Sequence, residues 1–282
     1  MEKRETDEIY LSESAVLVTM IRRYGHLKKS YKTKKRNVYM IKQMRKAWGS
    51  PPASLFISPP FGNYIRIPGS KSIKGSFTLE PRGGLVPQIA KTLRFSFEYN
   101  GWINKIGLRN KGLEYGIKNY NQNTDILSIA IMNESEIKPI LNMLPKKANI
   151  ELNVSCPNVE KQLNDNNIGQ FLNPEREWCA VKISPLTTKE TIDKYYKLGF
   201  RQYHCCNTLP VENGGLSGPS LIPYVCKQIE TINTYPNTTI VGGGGIQNME
   251  TLNIYKKLGA TYFSISSIFF HPVLCARFFG GT

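Results

Sequence analysis

The stretch CAVKISPLTTKETIDKYYKLGFRQYHCC, residues 179–206, contains the repeating unit on which the fold prediction rests. Its first segment, Cys179–Ile183, is short and apolar, as expected of a buried strand. A helix is predicted over Thr187–Leu198, because Thr188 suits the N-cap and a glycine follows the last turn. Arg201–Cys206 returns to a strand-like pattern. A strand, a helix and a second strand in this order predict parallel strands that are joined by a crossover.

The same kind of unit recurs along the chain. Eight short, apolar, β-branched segments are predicted to be strands: Ser54–Ser58, Ile73–Thr78, Ile126–Ile131, Asn149–Val154, Cys179–Ile183, Arg201–Cys206, Thr238–Gly242 and Thr261–Ser266. A second clear helix is predicted over Met249–Leu258, with Gly259 as its stop. Eight such units predict an α/β fold, a (β/α)8 TIM barrel over residues 51–282. A doubly wound open sheet is the alternative, but its GxGxxG fingerprint after the first strand is absent.

The net charge of +16 is unevenly distributed. The first 50 residues carry 13 Lys/Arg and 5 Asp/Glu, and Arg22–Lys46 contains eleven basic residues and no acidic one. Residues 1–50 are therefore predicted to be a basic N-terminal extension, flexible or helical, in front of the barrel. An anionic partner for residues 22–46 (phospholipid or nucleic acid), an import signal and a merely solvated segment are all left open.

The cysteines and histidines of the sequence argue against metal-binding and disulfide-rich classes of protein. The six cysteines form no CxxC pair and there are only three histidines, which argues against a zinc site or an iron–sulfur cluster, so no metal is predicted. A disulfide framework is not expected at this length, and a cytoplasmic location is the prediction. No apolar run approaches the roughly 20 residues that a membrane span needs. Peripheral membrane or nuclear association of the basic extension remains an alternative.

Polar and glycine-rich segments follow the predicted strands at the ends where barrel enzymes carry their sites. They are Ser58–Pro60, Gly75–Thr78, Asn153–Asn158, Lys182, Asn207–Thr208, Gly242–Gly245 and Ser266–Ser267. In Val241–Ile246 four glycines leave backbone N–H groups unshielded, so an oxyanion can approach closely. The loops after the last two barrel strands form the common phosphate site of this fold. We therefore predict phosphate binding by this glycine run and by the serines of the eighth loop.

Six collinear motifs resemble those of dihydroorotate dehydrogenases, of the class that uses cysteine as its base. They are Glu151–Asn158 (ELNVSCPN), Gly75–Arg82 (GSFTLEPR), Ile103–Asn110 (INKIGLRN), Ala180–Pro185 (AVKISP), Gly214–Pro219 (GGLSGP) and Val241–Ile246 (VGGGGI). The similarity runs from about Leu55 to Phe270 and leaves out the first 50 residues. It implies FMN-dependent oxidation of dihydroorotate to orotate in pyrimidine biosynthesis.

The resemblance also implies roles for individual residues. Cys156 would be the catalytic base that removes the C5 proton of dihydroorotate, while a hydride passes from C6 to FMN. The implied substrate-binding residues are Asn104, Gly107, Leu108, Asn153, Asn158, Asn207 and Thr208. The implied FMN-binding residues are Ser58, Lys182, Gly215, Gly244, Gly245, Ser266 and Ser267. A thiolate is a competent base when its pKa approaches neutrality, and asparagine offers the paired donor and acceptor that suit a pyrimidine edge.

One position departs from the class. Gly75 stands where cysteine-using members usually have a lysine, and whether Lys74 or Lys71 reaches the flavin instead is open, since Lys74 is expected on the opposite face of its strand. No role is assigned to His204, and Cys205 and Cys206 are interpreted as structural.

Several functional alternatives remain. The electron acceptor is left open among fumarate, a quinone and a partner subunit that carries FAD and an iron–sulfur centre, and a homo-oligomer is expected. A flavin-dependent reductase acting on uridine in RNA and a non-catalytic relative that binds flavin or ligand are the alternative functions.

Overall fold

A closed barrel of eight parallel strands forms the centre of the computed structural model, which describes residues 54–154 and 165–280. In chain order the barrel strands are β1 (Leu55–Ile57), β2 (Lys71–Phe77), β5 (Asp125–Ile129), β6 (Ile150–Asn153), β7 (Cys179–Ile183), β8 (Gln202–Cys205), β11 (Thr239–Gly243) and β12 (Tyr262–Ile265). Each overlaps one of the eight predicted segments, so the (β/α)8 prediction is confirmed and the open-sheet alternative is wrong. The predictions for residues 1–50, including the anionic partner of residues 22–46, lie outside the described residues.

Seven α-helices are found in the described part of the chain. They are α1 (Leu85–Thr92), α2 (Leu113–Lys118), α3 (Ile137–Met143), α4 (Lys189–Lys197), α5 (Ile222–Asn233), α6 (Met249–Leu258) and α7 (Pro272–Gly280). The Thr188 side chain caps α4 by accepting a hydrogen bond from the Thr191 N–H. Helix α6 ends at Gly259, whose φ of 117° favours glycine. Both predicted helices are therefore confirmed. In residues 54–154 and 165–280, no helix is long and apolar enough to span a membrane.

Four further strands form a separate antiparallel sheet, here called the cover sheet, in the order β3–β4–β10–β9. Its strands are β3 (Arg94–Ser96), β4 (Gly101–Asn104), β9 (Leu209–Val211) and β10 (Gly214–Ser217). The first two belong to the connection between β2 and β5, and the other two follow β8. The cover sheet therefore joins two loops that are more than 100 residues apart in the chain.

The two faces of the barrel strands pack differently. Side chains such as Leu55, Leu127 and Val181 belong to the large apolar core cluster. Their neighbours along the strands, which alternate to the other face, form a second cluster, Phe56, Ile73, Ile126, Trp178, Ala180 and Val241, with Tyr262 packed against it. Further along the strands on this inner face the buried residues are polar: Ser58, Ser128, Glu151, Asn153, Lys182, His204 and Ser264. This polar layer therefore lies towards the carboxyl ends of the strands, where barrel enzymes carry their sites.

The lysines next to Gly75 lie away from the polar layer. Lys74 is paired in register with Leu127, so its side chain is on the outer face, as the alternation predicted. Its Nζ contacts Asp125 Oδ2 at 2.7 Å and the Asn119 carbonyl at 2.6 Å. Lys71 is the first residue of β2, at the opposite end of the strand from the polar layer. Neither lysine occupies the place of the missing one.

Asp125 → Asn is expected to lower the free energy of unfolding by about 2 kcal/mol, because it removes the charge that partners the buried Lys74. Burial alone would raise the pKa of Asp125, but the hydrogen bonds and charges of Arg66 and Lys74 outweigh it and lower the pKa. A lowered folded-state pKa stabilises the protein above the pKa of the unfolded state, and this contribution is lost as the pH falls. Urea unfolding at pH 7 and pH 3 measures both effects. An equal loss for the variant at both pH values would contradict the assignment.

Candidate active site

A cavity of about 560 Å³, including its open mouth, lies at the carboxyl ends of the barrel strands. Eight of the predicted site residues line it: Ser58, Lys182, Asn207, Thr208, Gly244, Gly245, Ser266 and Ser267. They come from five different βα connections or strand ends, so only the closed barrel brings them together. The mixed polar and apolar lining of the cavity suits a small-molecule or cofactor site.

The glycines that follow β11 line the cavity. Gly244 has a φ of 98° and Gly245 a φ of 78°, a region that favours glycine. A Cβ on Gly245 would lie 2.7 Å from the Ile222 side chain, and one on Gly244 would lie 3.1 Å from Leu221. Both glycines are therefore required by backbone conformation and packing.

The predicted serines are already engaged within the protein. The Ser266 hydroxyl donates to the Pro59 carbonyl at 3.0 Å, and the Ser58 and Ser264 hydroxyls are hydrogen-bonded to each other. These contacts fix the loops after β1 and β12 to one another beside the glycine run. The two serines can still accept hydrogen bonds from a ligand, since a hydroxyl oxygen has two lone pairs.

The asparagines that end β6 and follow β8 are directly bonded. Asn207 Nδ2 donates to Asn153 Oδ1 at 2.9 Å, and Asn153 Nδ2 donates to Ser76 Oγ at 2.8 Å. Asn207 Oδ1 accepts from the Thr208 N–H at 2.9 Å. Three of the predicted substrate-binding residues thus form one connected group at the edge of the cavity.

Glu151 is a fully buried carboxylate at the centre of the polar layer. Its Oε1 accepts from the Ser128 hydroxyl at 3.0 Å, and its Oε2 is 2.5 Å from His204 Nδ1. Burial alone would raise the pKa of Glu151, but the positive charge of Lys182 and the hydrogen bonds that it accepts from His204 and Ser128 lower the pKa. Burial lowers the pKa of His204 more strongly than Glu151 raises it. At neutral pH the pair therefore consists of a carboxylate and a neutral imidazole.

Gly75 cannot be replaced by a residue with a side chain in this backbone. Its φ is 122°, and a Cβ would lie 2.4 Å from the Ser128 carbonyl oxygen. The Asn63 amide holds its peptide groups from both sides, since Oδ1 accepts from the Gly75 N–H and Nδ2 donates to the Gly75 carbonyl, each at 2.9 Å. The glycine is thus a structural requirement of β2.

The predicted loop around Asn104 lies beside the cavity, in contact with the cover sheet. Asn104 pairs in register with Gly215, and its Nδ2 donates to the Gly215 carbonyl at 3.4 Å. Arg82 Nε donates to the Gly107 carbonyl at 3.3 Å, and Leu108 has a φ of 56°. None of these four predicted residues, Asn104, Gly107, Leu108 and Gly215, lines the described cavity. Gly215 is a strand residue of the cover sheet, and Ser217 and Gly218 of the same segment reach the cavity instead.

Two predicted residues, Cys156 and Asn158, lie outside the described residues. Two residues that the sequence did not predict, His204 and Cys206, also line the cavity. Cys205 is completely buried on the other face, and Cys206 is also buried, so the structural interpretation of both cysteines stays a prediction. Strand alternation was the available signal, because residues 204 and 206 must share a face if Lys182 of the neighbouring strand points inwards.

Fold and site together define a (β/α)8 barrel that has a glycine-rich loop and a buried lysine in the cavity at the carboxyl ends of its strands. The chain matches no protein-family model. It is 28% identical over 248 residues to dihydroorotate dehydrogenase A (fumarate) of Limosilactobacillus reuteri, covering 74% of this chain and 78% of that protein. It is 26% identical over 258 residues to the catalytic subunit of dihydroorotate dehydrogenase B (NAD(+)) of Bacteroides fragilis, covering 78% and 83%.

A solved structure agrees with the fold. Dihydroorotate dehydrogenase from Eimeria tenella, in complex with ferulenol, superposes with a TM-score of 0.61 at 16% sequence identity and covers 91% of this chain and 92% of that one. The resemblance that the six motifs indicated is confirmed by these comparisons. The chain is a homologue of the dihydroorotate dehydrogenases of the A and B types.

Proposed function

We propose that this protein is an FMN-dependent dihydroorotate dehydrogenase, an oxidoreductase that acts on the C5–C6 bond of dihydroorotate in pyrimidine biosynthesis. The observation that carries the proposal is the single cavity wall in which Lys182, the glycine run and Asn207 meet. Homology to dehydrogenases of this name supports the same assignment.

The residues of the cavity fit FMN. The backbone of Gly244 and Gly245, which lines the cavity next to Ser266 and Ser267, would bind the phosphate through its N–H groups. Lys182 is buried in the same wall, where an ammonium group favours negative charge on the flavin. When bound, FMN would supply the acceptor for the hydride that leaves C6.

The protein supplies the base and the orientation. Cys156 Sγ would remove the proton from C5, and the connected amides of Asn153 and Asn207 would orient the pyrimidine ring. Cys206 also lines the cavity, but burial raises the pKa of its thiol to about 12, although Lys182 opposes this shift. Cys206 is therefore a neutral thiol at physiological pH and a poor candidate for the base.

The decisive experiment is an anaerobic titration of the purified protein with dihydroorotate, followed by visible absorption. Bound flavin that bleaches on addition of dihydroorotate supports cofactor, substrate and half-reaction together. Bound flavin that ignores dihydroorotate would redirect the search to uridine in RNA. Protein that binds no FMN would contradict the proposal and favour a non-catalytic relative.

The electron acceptor is tested on the bleached protein. The names of the relatives mention fumarate for one type and NAD(+) for the other. Recovery of the flavin absorbance on adding fumarate or a quinone identifies a direct acceptor. Recovery with neither would favour a partner subunit that carries FAD and an iron–sulfur centre. We place the reaction in the cytoplasm, because the cysteine-using class that the motifs resemble is usually cytosolic.

A further inference from the structure

The polar layer contains a chain of hydrogen bonds that runs from the edge of the cavity to its buried wall. Ser76 and Ser128, here called the serine bridge, are joined by a hydrogen bond of 2.8 Å between their hydroxyls. Asn153 donates to the first of these serines, and the second donates to Glu151. The chain thus connects side chains of β2, β5 and β6 with the loop after β8.

All donors in this chain point towards Glu151. An ionised carboxylate only accepts hydrogen bonds, so the single hydroxyl proton of Ser128 is committed to Glu151. Ser76 must then donate to Ser128, which leaves the Ser76 oxygen to accept from the Asn153 amide nitrogen. As a result Asn153 Oδ1 faces Asn207 and accepts from its amide nitrogen. The direction of every bond follows from the charge of one buried carboxylate.

The second carboxylate oxygen of Glu151 contacts His204, which lines the proposed cofactor cavity. Because the imidazole of His204 is neutral, its Nδ1 must carry the proton that is shared with Glu151 Oε2. The Nε2 of His204 is then an acceptor, and it lies 2.8 Å from the place that a Cβ on Gly243 would take. Lys182, which is paired in register with His204 and Asn153, interacts with the same carboxylate.

We propose that Glu151 is a positioning residue of this site, an inference that rests on the function proposed above. One carboxylate oxygen orients the substrate-side amides through the serine bridge. The other oxygen fixes the tautomer of His204 beside the cofactor cavity. The amide of Asn207 accepts from Thr208 through Oδ1 and donates one N–H to Asn153, so it is turned to present its second N–H, which suits a carboxylate or carbonyl oxygen of an anionic pyrimidine.

The two carboxylate oxygens of Glu151 define a substrate arm, through the serine bridge, and a cofactor arm, through His204. Substitutions in the two arms should therefore weaken different ligands, orotate or FMN, in equilibrium binding measured without turnover. Ser128 → Ala and Ser76 → Ala are each expected to weaken orotate binding about tenfold, because each interrupts the chain of hydrogen bonds that ends on the Glu151 carboxylate. The affinity for FMN should be unchanged. The double variant should show no further loss, since both serines belong to one bridge. Ser72 → Ala is the matched control, because Ser72 is also a buried serine of β2 but bonds to the Ile65 carbonyl.

The cofactor arm is tested at His204. His204 → Phe keeps a planar ring but removes the donor, and it is expected to weaken FMN about tenfold and shift the flavin absorption spectrum. His204 → Asn should restore much of the affinity, because its amide nitrogen can donate to Glu151 from nearly the same place. Glu151 → Gln should weaken the binding of both FMN and orotate, since it removes the negative charge that both arms share.

The inference is overturned if the serine variants bind orotate as tightly as Ser72 → Ala does, or if His204 → Asn is no better than His204 → Phe. Where a deep substitution fails to fold by circular dichroism, Ser76 → Ala alone decides the substrate arm, because Ser76 is only half-buried. Failure of the proposed function has a different signature: the unaltered protein would bind neither FMN nor orotate, and both proposals would fall together.

Discussion

Cys156 → Ala is expected to slow the anaerobic bleaching of the flavin by dihydroorotate about 10²- to 10⁴-fold, the usual effect of removing a general base. FMN content should be unchanged, because the proposed cofactor wall is formed by other residues. Stopped-flow absorbance on the FMN-loaded protein measures the rate directly. Cys226 → Ala is the matched control, since Cys226 lies on α5 and does not line the described cavity.

The pH dependence of the bleaching rate distinguishes a Cys156 that acts as a base from a Cys156 that only packs against the substrate. With a thiolate as base, the bleaching rate of the unaltered protein should rise with pH through the pKa of the thiol. The bleaching rate of Cys156 → Ser should rise only at higher pH, because a hydroxyl is a far weaker acid than a thiol. A Cys156 → Ala variant that bleaches at the unaltered rate with flavin bound would disprove the assignment of the base.

Gly75 → Ala is expected to destabilise the protein by about 4 kcal/mol, the largest stability effect that we predict. The backbone strain of a side chain at this φ and the overpacking of its Cβ against Ser128 each contribute about 1–3 kcal/mol. Urea unfolding followed by circular dichroism measures the loss. Gly75 → Lys, which introduces the residue usual in the cysteine-using class, should be at least as damaging and should not improve turnover.

Gly83 → Ala provides the comparison for Gly75. A Cβ on Gly83 would meet no heavy atom within 4 Å, so little change in the free energy of unfolding is expected. Equal stability losses at the two glycines would contradict the assignment of the Gly75 effect to backbone strain and overpacking. A stable Gly75 → Lys protein with faster turnover would contradict the view that this strand excludes the lysine.

The eight barrel strands were predictable from sequence because each is a short apolar run that is bounded by turn residues. The two clearest helices were predictable because Thr188 and Gly259 carry the cap chemistry. The cover sheet was not predicted. Its strands are three or four residues long, and their partners lie in a distant loop, so neither length nor periodicity identifies them.

The candidate site was predictable only as far as motifs and strand ends reach. Lys182 and the glycine run stand at strand ends, and the structure places both in the cavity wall. The partnership of Glu151 with His204 depends on two strands that are 53 residues apart in the chain, and a single sequence carries no signal for it. The structural reason for Gly75 was equally hidden, because it depends on a carbonyl of the neighbouring strand.

The cover sheet has a consequence for how the protein can vary and open. Asn104 and Gly215 belong to hydrogen-bonded neighbouring strands, so the loop after β2 and the loop after β8 cannot be remodelled independently. Insertions or deletions in one loop are expected to be accompanied by matching changes in the other across homologues. Amide protons of β4 and β10 should likewise exchange with solvent as one cooperative unit, with ligand binding slowing both strands together.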